Sequence, residues 1–191
     1  MKPIQYRKIG QEEVSLALFA HFQRFQQVKR CWRKAEGHWV LKDIAFTEDW
    51  EEPDYQRLCA QLKRTLEKGG CLWGAFAEAR LKGFASVEGS LIGSGSQYAV
   101  LAELYVSQDF RRHGLGQRLF SLAAQSAREL GAQKLYISAM SAEESQAFYQ
   151  SMGCREAEEY DPRHVELEPC DCQMEYPLFP VSDNGMGKEI S

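Results

Sequence analysis

Long apolar runs are missing from this chain. No uninterrupted stretch approaches the roughly 20 residues needed to cross a bilayer, which argues against a membrane-spanning helix. The opening MKPIQYRKIG leads into a polar pattern rather than the apolar stretch of a signal peptide, so a cytoplasmic protein is expected. A basic surplus is missing too: 23 Lys and Arg stand against 27 Asp and Glu, a net charge of -4. Phosphate backbones reward a basic surface, so general affinity for nucleic acid is not expected. Six cysteines (Cys31, Cys59, Cys71, Cys154, Cys170, Cys172) are scattered without a CxxC pair and read as reduced thiols. Cys170 and Cys172 with His164 supply only three donors outside the usual zinc spacing, so no metal is expected. Two phosphate-binding signatures are also absent. There is no GxxxxGK followed by Ser or Thr, and Leu119 stands where a dinucleotide fingerprint needs its third glycine.

What is present describes one globular domain. The chain has 191 residues, 44% of them apolar and 26% charged, enough for one sizeable core. Ile4, Tyr6 and Ile9 sketch a short opening strand. Val14, Leu18, Phe22 and Phe25 recur at helical spacing and predict an amphipathic helix from Gln11 to about Lys29. A second helix follows Pro53, with Tyr55, Leu58, Leu62 and Leu66 on one face and Gly69-Gly70 at its end. The stretch Cys31 to Trp50 carries no clear period; Trp32, Trp39 and Trp50 within it suit packing or a substrate wall. CLWGAFAEA, KGFASVEGSLI and YAVLAELYV then read as three strands, followed by a helix from Gly114 to about Leu130. KLYISA is a buried strand, SAEESQAFYQSMG a short helix, and two late strands surround Glu158 to Pro169. This order predicts an α+β fold: a single domain over residues 1–178 with a mixed, mostly antiparallel central sheet flanked by helices. The last residues, 179–191, have little apolar content and are expected to be a disordered tail.

The segment richest in chemistry is AELYVSQDFRRHGLGQRL, Ala102 to Leu119. A strand gives way to a loop with Arg111, Arg112 and His113, and Gly114 and Gly116 open a helix. Glycines let successive backbone N–H groups approach an anion, the new helix aims its unpaired N–H groups at the same place, and the arginines add charge. The sequence V-x-x-x-x-R-R-x-G-x-G, Val106 to Gly116, resembles the pyrophosphate-binding motif of the GNAT acetyltransferase superfamily. SAEESQAFYQSMGC resembles a second family segment, with Ser145, Tyr149 and Gly153 at matching positions. Ala142 stands where the family usually has Asn, and Cys154 where it usually has Phe.

The resemblance implies an acetyl-CoA-dependent N-acetyltransferase with acetyl-CoA as acetyl donor. Backbone groups of Leu104 and Val106, flanking Tyr105, would pair with the pantetheine amides. Arg111, Arg112, His113, Gly114, Leu115, Gly116 and Gln117 would hold the pyrophosphate, His113 through its backbone N–H. Tyr149 is the candidate general acid for the departing sulfur, with simple aromatic packing as the alternative. Glu103 is the candidate base for the ammonium; a binding or a solvated carboxylate are the alternatives, and a bulge would decide its face.

Acidic residues are unevenly spread. Glu48 to Asp54 holds five, and Arg155 to Glu175 holds eight against two arginines. If both banks face the acceptor cleft, they favour a cationic amine. The leading expectation is acetylation of a small-molecule amine. A protein acetyltransferase and a non-catalytic acyl-CoA-binding module are the other two classes. No nucleic-acid or membrane partner is expected, and a homodimer is compatible with the sequence.

Overall fold

The structure is a computed structural model that describes residues 3–179. The chain opens on β1 (Gln5–Lys8), followed by two short 3-10 turns, Gln11–Glu13 and Leu16–Phe19. Strands β2 (Phe25–Ala35) and β3 (His38–Asp49) form a hairpin, and α1 (Glu52–Glu67) follows. The centre is a meander of β4 (Cys71–Ala77), β5 (Arg80–Ile92) and β6 (Tyr98–Val106). Then come α2 (Leu115–Glu129), β7 (Lys134–Ala139), α3 (Glu143–Ser151), β8 (Arg155–Glu156), α4 (Pro162–Leu167) and β9 (Cys172–Pro177). Among the described residues, seven strands make one mixed sheet in the order β1-β4-β5-β6-β7-β9-β8, in which only β6 and β7 run parallel, while β2-β3 is a separate two-stranded sheet. The expected α+β class and mostly antiparallel sheet are therefore observed.

The helix expected from Gln11 to Lys29 is not formed. Val14, Phe19 and Phe22 are still buried, in one cluster with Leu58 and Leu62 of α1 and Phe84 of β5. Turns that repeat every three residues return apolar side chains to one side much as a helix does. Aromatic packing holds these turns instead: the rings of Phe19 and Phe22 lie 5.5 and 5.3 Å from that of Phe84. From Phe25 onward the chain becomes β2, whose Val28 and Cys31 pack on Ala142 at the start of α3. The unassigned stretch Cys31 to Trp50 supplies the rest of β2 and all of β3. The expected disordered tail begins at Phe179, and from residue 180 it lies outside the described residues.

Helix α1 starts as its sequence suggests. The Glu51 N–H donates to Asp54 Oδ2 at 2.9 Å, Pro53 occupies the first turn, and Gly69 closes the end at φ +80°. Helix α2 lays Leu115, Leu119, Phe120, Ala123 and Ala127 on the opposite face of the sheet. The sheet is thus covered on both faces, and the open space lies where its middle strands part.

Candidate active site

Strands β6 and β7 pair only from Tyr98 to Val100, opposite Lys134 to Tyr136. Beyond that point they splay, and the far half of β6 keeps a neighbour only on the β5 side. The Ser107 N–H donates to Lys82 O at 2.9 Å, which makes that pair a hydrogen-bonded one. Antiparallel alternation then points the backbone groups of Val106 and Leu104, paired with Gly83 and Ala85, away from β5 and into the splay.

A bulge sets which side chains go where. Ser86 pairs with Glu103 but Val87 pairs with Leu101, so Ala102 has no opposite number. The parity of β6 changes there. Ala99 and Leu101 precede the bulge, and Leu104 and Val106 follow it, yet all four pack with the α2-side core. Glu103 and Tyr105 therefore face the other side, where Tyr105 packs with Phe84 and Trp50 at 5.6 and 5.0 Å.

The splay opens into a cavity of about 1380 Å³. It is lined by Glu103, Leu104, Tyr105, Val106, Arg111, Arg112, Gly114, Leu115, Gly116, Gln117 and Tyr149. Of the expected site residues, His113 is the one that does not line it; its exposed ring lies 6.1 Å from that of Phe110. Gly114 caps α2 in the left-handed region, at φ +78°, with no side-chain cap. The first bond of α2 runs from the Arg118 N–H to Gly114 O at 3.1 Å. The N–H groups of Leu115, Gly116 and Gln117 consequently have no acceptor within the helix. Unpaired amides at a helix start are suited to meeting an anion.

The two arginines differ. Arg112 is exposed, at φ +61°. Arg111 is half-buried, and its Nη2 donates to the backbone oxygen of Phe25 at 2.5 Å. Burial, and then the nearby Arg24, lower its pKa from the ordinary value. Both arginines line the cavity, and Arg111 also moors β2 to the loop.

Tyr149 and Phe148 both line the cavity, and both rings lie 6.4 Å from that of Phe120. Burial raises the Tyr149 pKa well above the ordinary phenol value, with Cys154, Glu103 and Asp171 adding to it. The phenol stays protonated through the neutral range and presents a donor. Burial also pushes the Cys154 thiol up to about 12, which makes it unreactive. Ala142 is fully buried and bridges Cys31 of β2, and the Trp32 N–H donates to Ser141 O at 2.8 Å. Val28 and Cys31 of the hairpin pack in one buried cluster with Ala142.

Glu103 is pushed up to about 7 by burial, with hydrogen bonds from Tyr105 and Gln61 pulling the other way and Glu168 adding to the rise. Asp171 is likewise pushed up to about 7 by burial, then by Glu168 and Glu48. These two, with Glu168 and Glu48, line the cavity. Most of the acidic banks do other work, contrary to the expectation that they face the cleft. Glu51, Glu52 and Asp54 form the start of α1. Glu156 pairs with Lys34 at 2.6 Å, Glu158 with Lys134 at 2.6 Å, and Glu159 holds Ser94 and Gln97. Glu175 is fully buried against Tyr98, Lys134 and Arg155. Trp32, Trp39 and Trp50 do not line the cavity either, so their role is packing.

Residues that sequence reasoning missed arrive from distant segments. Arg24 is 5% exposed, forms an ion pair with Glu48, and lies 4.8 Å over the Tyr105 ring. Gln61 reaches Glu103 from α1. Nothing in a helical surface Gln or in an Arg between two aromatic residues marks it in one dimension.

The family model described as "Acetyltransferase (GNAT) family" matches residues 19–154, and the chain belongs to that family. No curated protein sequence matches significantly. Among solved structures the chain is similar to a nourseothricin acetyltransferase, at 17% identity and TM-score 0.65, covering 92% of this chain and 98% of that one. It is also similar to a protein from Bacillus anthracis str. Ames described as a streptothricin acetyltransferase, solved in complex with acetyl coenzyme A, at 16% identity and TM-score 0.65, covering 91% and 96%. A third is the PaiA N-acetyltransferase from Thermoplasma acidophilum in complex with coenzyme A, at 17% identity and TM-score 0.56, covering 92% and 99%.

Proposed function

We propose that this chain moves the acetyl group of acetyl-CoA to a primary amine on a small cationic molecule, by direct attack. The observation that carries the reading is the meeting of three features in one cavity: the free amides of α2, the open edge of β6, and the pair Glu103 and Tyr149. The residues fit the cofactor. The Leu115, Gly116 and Gln117 N–H groups and Arg112 suit its diphosphate, and the backbone of Leu104 and Val106 suits its amide-bearing arm. Bound acetyl-CoA supplies an acetyl group activated as a thioester.

The chain's own groups manage the protons. Glu103, with its pKa raised to about 7, is matched to taking a proton from an ammonium near neutral pH. Tyr149 donates to the sulfur as it departs, and is returned to the neutral phenol by solvent. Pockets for drug-sized ligands run to about 1,000 Å³, so a cavity of about 1380 Å³ has room for an acceptor beside the cofactor arm. The carboxylates of Glu103, Glu168 and Asp171 favour a cation at that end, and the names of two similar structures, acetyltransferases of nourseothricin and streptothricin, support a small-molecule acceptor.

The test is a panel of amines incubated with acetyl-CoA and read by free thiol release: polyamines, aminosugars, amine-bearing antibiotics, and peptides with free N-termini or lysines. Turnover of small cations and not of peptides is expected. Turnover confined to peptides would make it a protein acetyltransferase, and acetyl-CoA binding without turnover of any amine would make it a binding module.

A further inference from the structure

Glu103 sits just past the bulge in β6, on a side chain with three rotatable bonds and room to turn in the cavity. Across from it runs α1, a helix held against the core by buried Leu58 and Leu62. Gln61 projects from α1 into the same cavity, and its Nε2 donates to Glu103 Oε1 at 2.7 Å. The amide nitrogen can only donate, so it favours the ionised carboxylate and occupies one of its two oxygens. Resting on the reading of Glu103 as the base, we propose that Gln61 is a positioning residue of the acceptor site: its amide holds Oε1 so that Oε2 is the oxygen offered to the acceptor's ammonium.

The surroundings single Gln61 out. The charged and titratable groups facing Glu103 are Tyr105 on its own strand, Arg24 ahead of β2, Glu168 after α4, and Tyr149 on α3. Arg24 is committed to Gln26 and Glu48. Tyr105 also hydrogen-bonds Glu103, from the same strand and with its ring wedged between Phe84 and Trp50. Glu168 repels. Gln61 is the neutral donor brought by a separate, rigid element, so exchanging it changes one contact of the carboxylate and leaves the others in place. Its side chain is on the exposed side of α1, so substitutions there keep the helix packed.

The experiment follows the ¹³Cδ resonance of Glu103 between pH 4 and 9 in the full-length protein labelled at Glu, assigned by its loss in Glu103→Gln. No acceptor is required. Relative to the native protein, Gln61→Leu is expected to raise the Glu103 titration midpoint by about one pH unit. Gln61→Glu should raise it further by adding a like charge, and Gln61→Lys should lower it, with thermal midpoints nearly unchanged. A midpoint that stays put in both Gln61→Leu and Gln61→Lys overturns the proposal. Failure of the base reading shows elsewhere: Glu103→Gln would keep full turnover in the amine panel while the resonance series still moves.

Discussion

Arg111 donates from Nη2 to the carbonyl of Phe25 at 2.5 Å, so the loop that precedes α2 is tied to the first residue of β2. The same loop is sewn to the preceding segment by the Gln108 N–H on Gln23 O at 2.9 Å and the Gln23 N–H on Ser107 Oγ at 3.0 Å. The loop before α2 is therefore hydrogen-bonded to the segment that enters the β2–β3 hairpin, and changes at Arg111 reach further than charge.

The first expected outcome separates the two arginines. Arg111→Ala should weaken acetyl-CoA binding and also lower folding stability by about 1–3 kcal/mol, the range for losing charge-assisted hydrogen bonds to buried carbonyls. Arg112→Gly relieves a positive φ and removes only an exposed charge, so it should weaken acetyl-CoA binding in a salt-dependent way and leave stability intact. Calorimetry for binding and chemical denaturation for stability read both. Equal loss of stability in the two variants would contradict the mooring role.

Gly114 and Gly116 are needed for different reasons. A Cβ on Gly114 meets nothing within 4 Å, but φ there is +78°, so Gly114→Ala should cost about 1–2 kcal/mol through backbone strain alone. At Gly116 a Cβ would lie 3.3 Å from the Phe148 ring, at the face where the free amides converge. Gly116→Asp adds bulk and a negative charge, and acetyl-CoA binding by calorimetry is expected to be abolished with the fold intact by circular dichroism. Unchanged affinity would remove the α2 terminus from the cofactor site.

Tyr149→Phe keeps the ring packed on Phe120 and deletes the donor. The expected result is a fall in kcat of about 10²-fold with little change in acetyl-CoA affinity. Full activity in the Phe variant would reduce Tyr149 to a packing residue.

The acceptor-side charges yield a contrast. Glu168→Gln and Asp171→Asn line the cavity and should raise KM for a cationic amine, as should added salt, while kcat changes little. Glu52→Lys lies at the start of α1, outside the cavity lining, and should leave that KM unchanged. A KM that ignores salt and both cavity variants would make the carboxylates ordinary surface.

Stability should vary with pH in two opposed windows. Burial works against the Glu175 carboxylate, but Tyr98, Lys134, Arg155 and the Glu158 N–H outweigh it and depress the pKa to about 2 from 4.5. A depressed carboxylate stabilises the fold above its unfolded pKa, so this contribution is present above about pH 4.5 and lost toward pH 2. Glu103 and Asp171 are raised to about 7, so each favours the fold in its protonated form; that contribution is complete below the ordinary carboxylate range and is lost as pH rises through 7. Denaturation midpoints should peak between these windows, and Glu175→Gln should flatten only the acid side.

Much of this was legible along the chain. The meander, α2, β7 and α3 fall within a few residues of their expected bounds, because each is a run whose period matches one element, and Gly70, Gly93, Gly114, Gly131 and Gly153 mark several of the ends. Arg111 through Gly116 could be read as an anion loop since strand, glycines and helix are consecutive. The helix expected from Gln11 to Lys29 does not form: apolar spacing alone does not separate a helix from 3-10 turns feeding a strand, and the deciding partner, Phe84, lies far along the chain.

The sequence by itself determined the local devices: an uncapped glycine turn, an amphipathic α2, and a strand ending in the splay, all products of short-range sterics and hydrogen bonding. Only the tertiary structure decided which face Glu103 takes, since that rests on a bulge set by β5 pairing with β6. It also decided that Gln61 and Arg24 stand beside that carboxylate, and that most acidic residues hold the framework instead of the acceptor. Those outcomes depend on contacts between segments dozens of residues apart. They are set by the burial of shared cores, which no local pattern encodes.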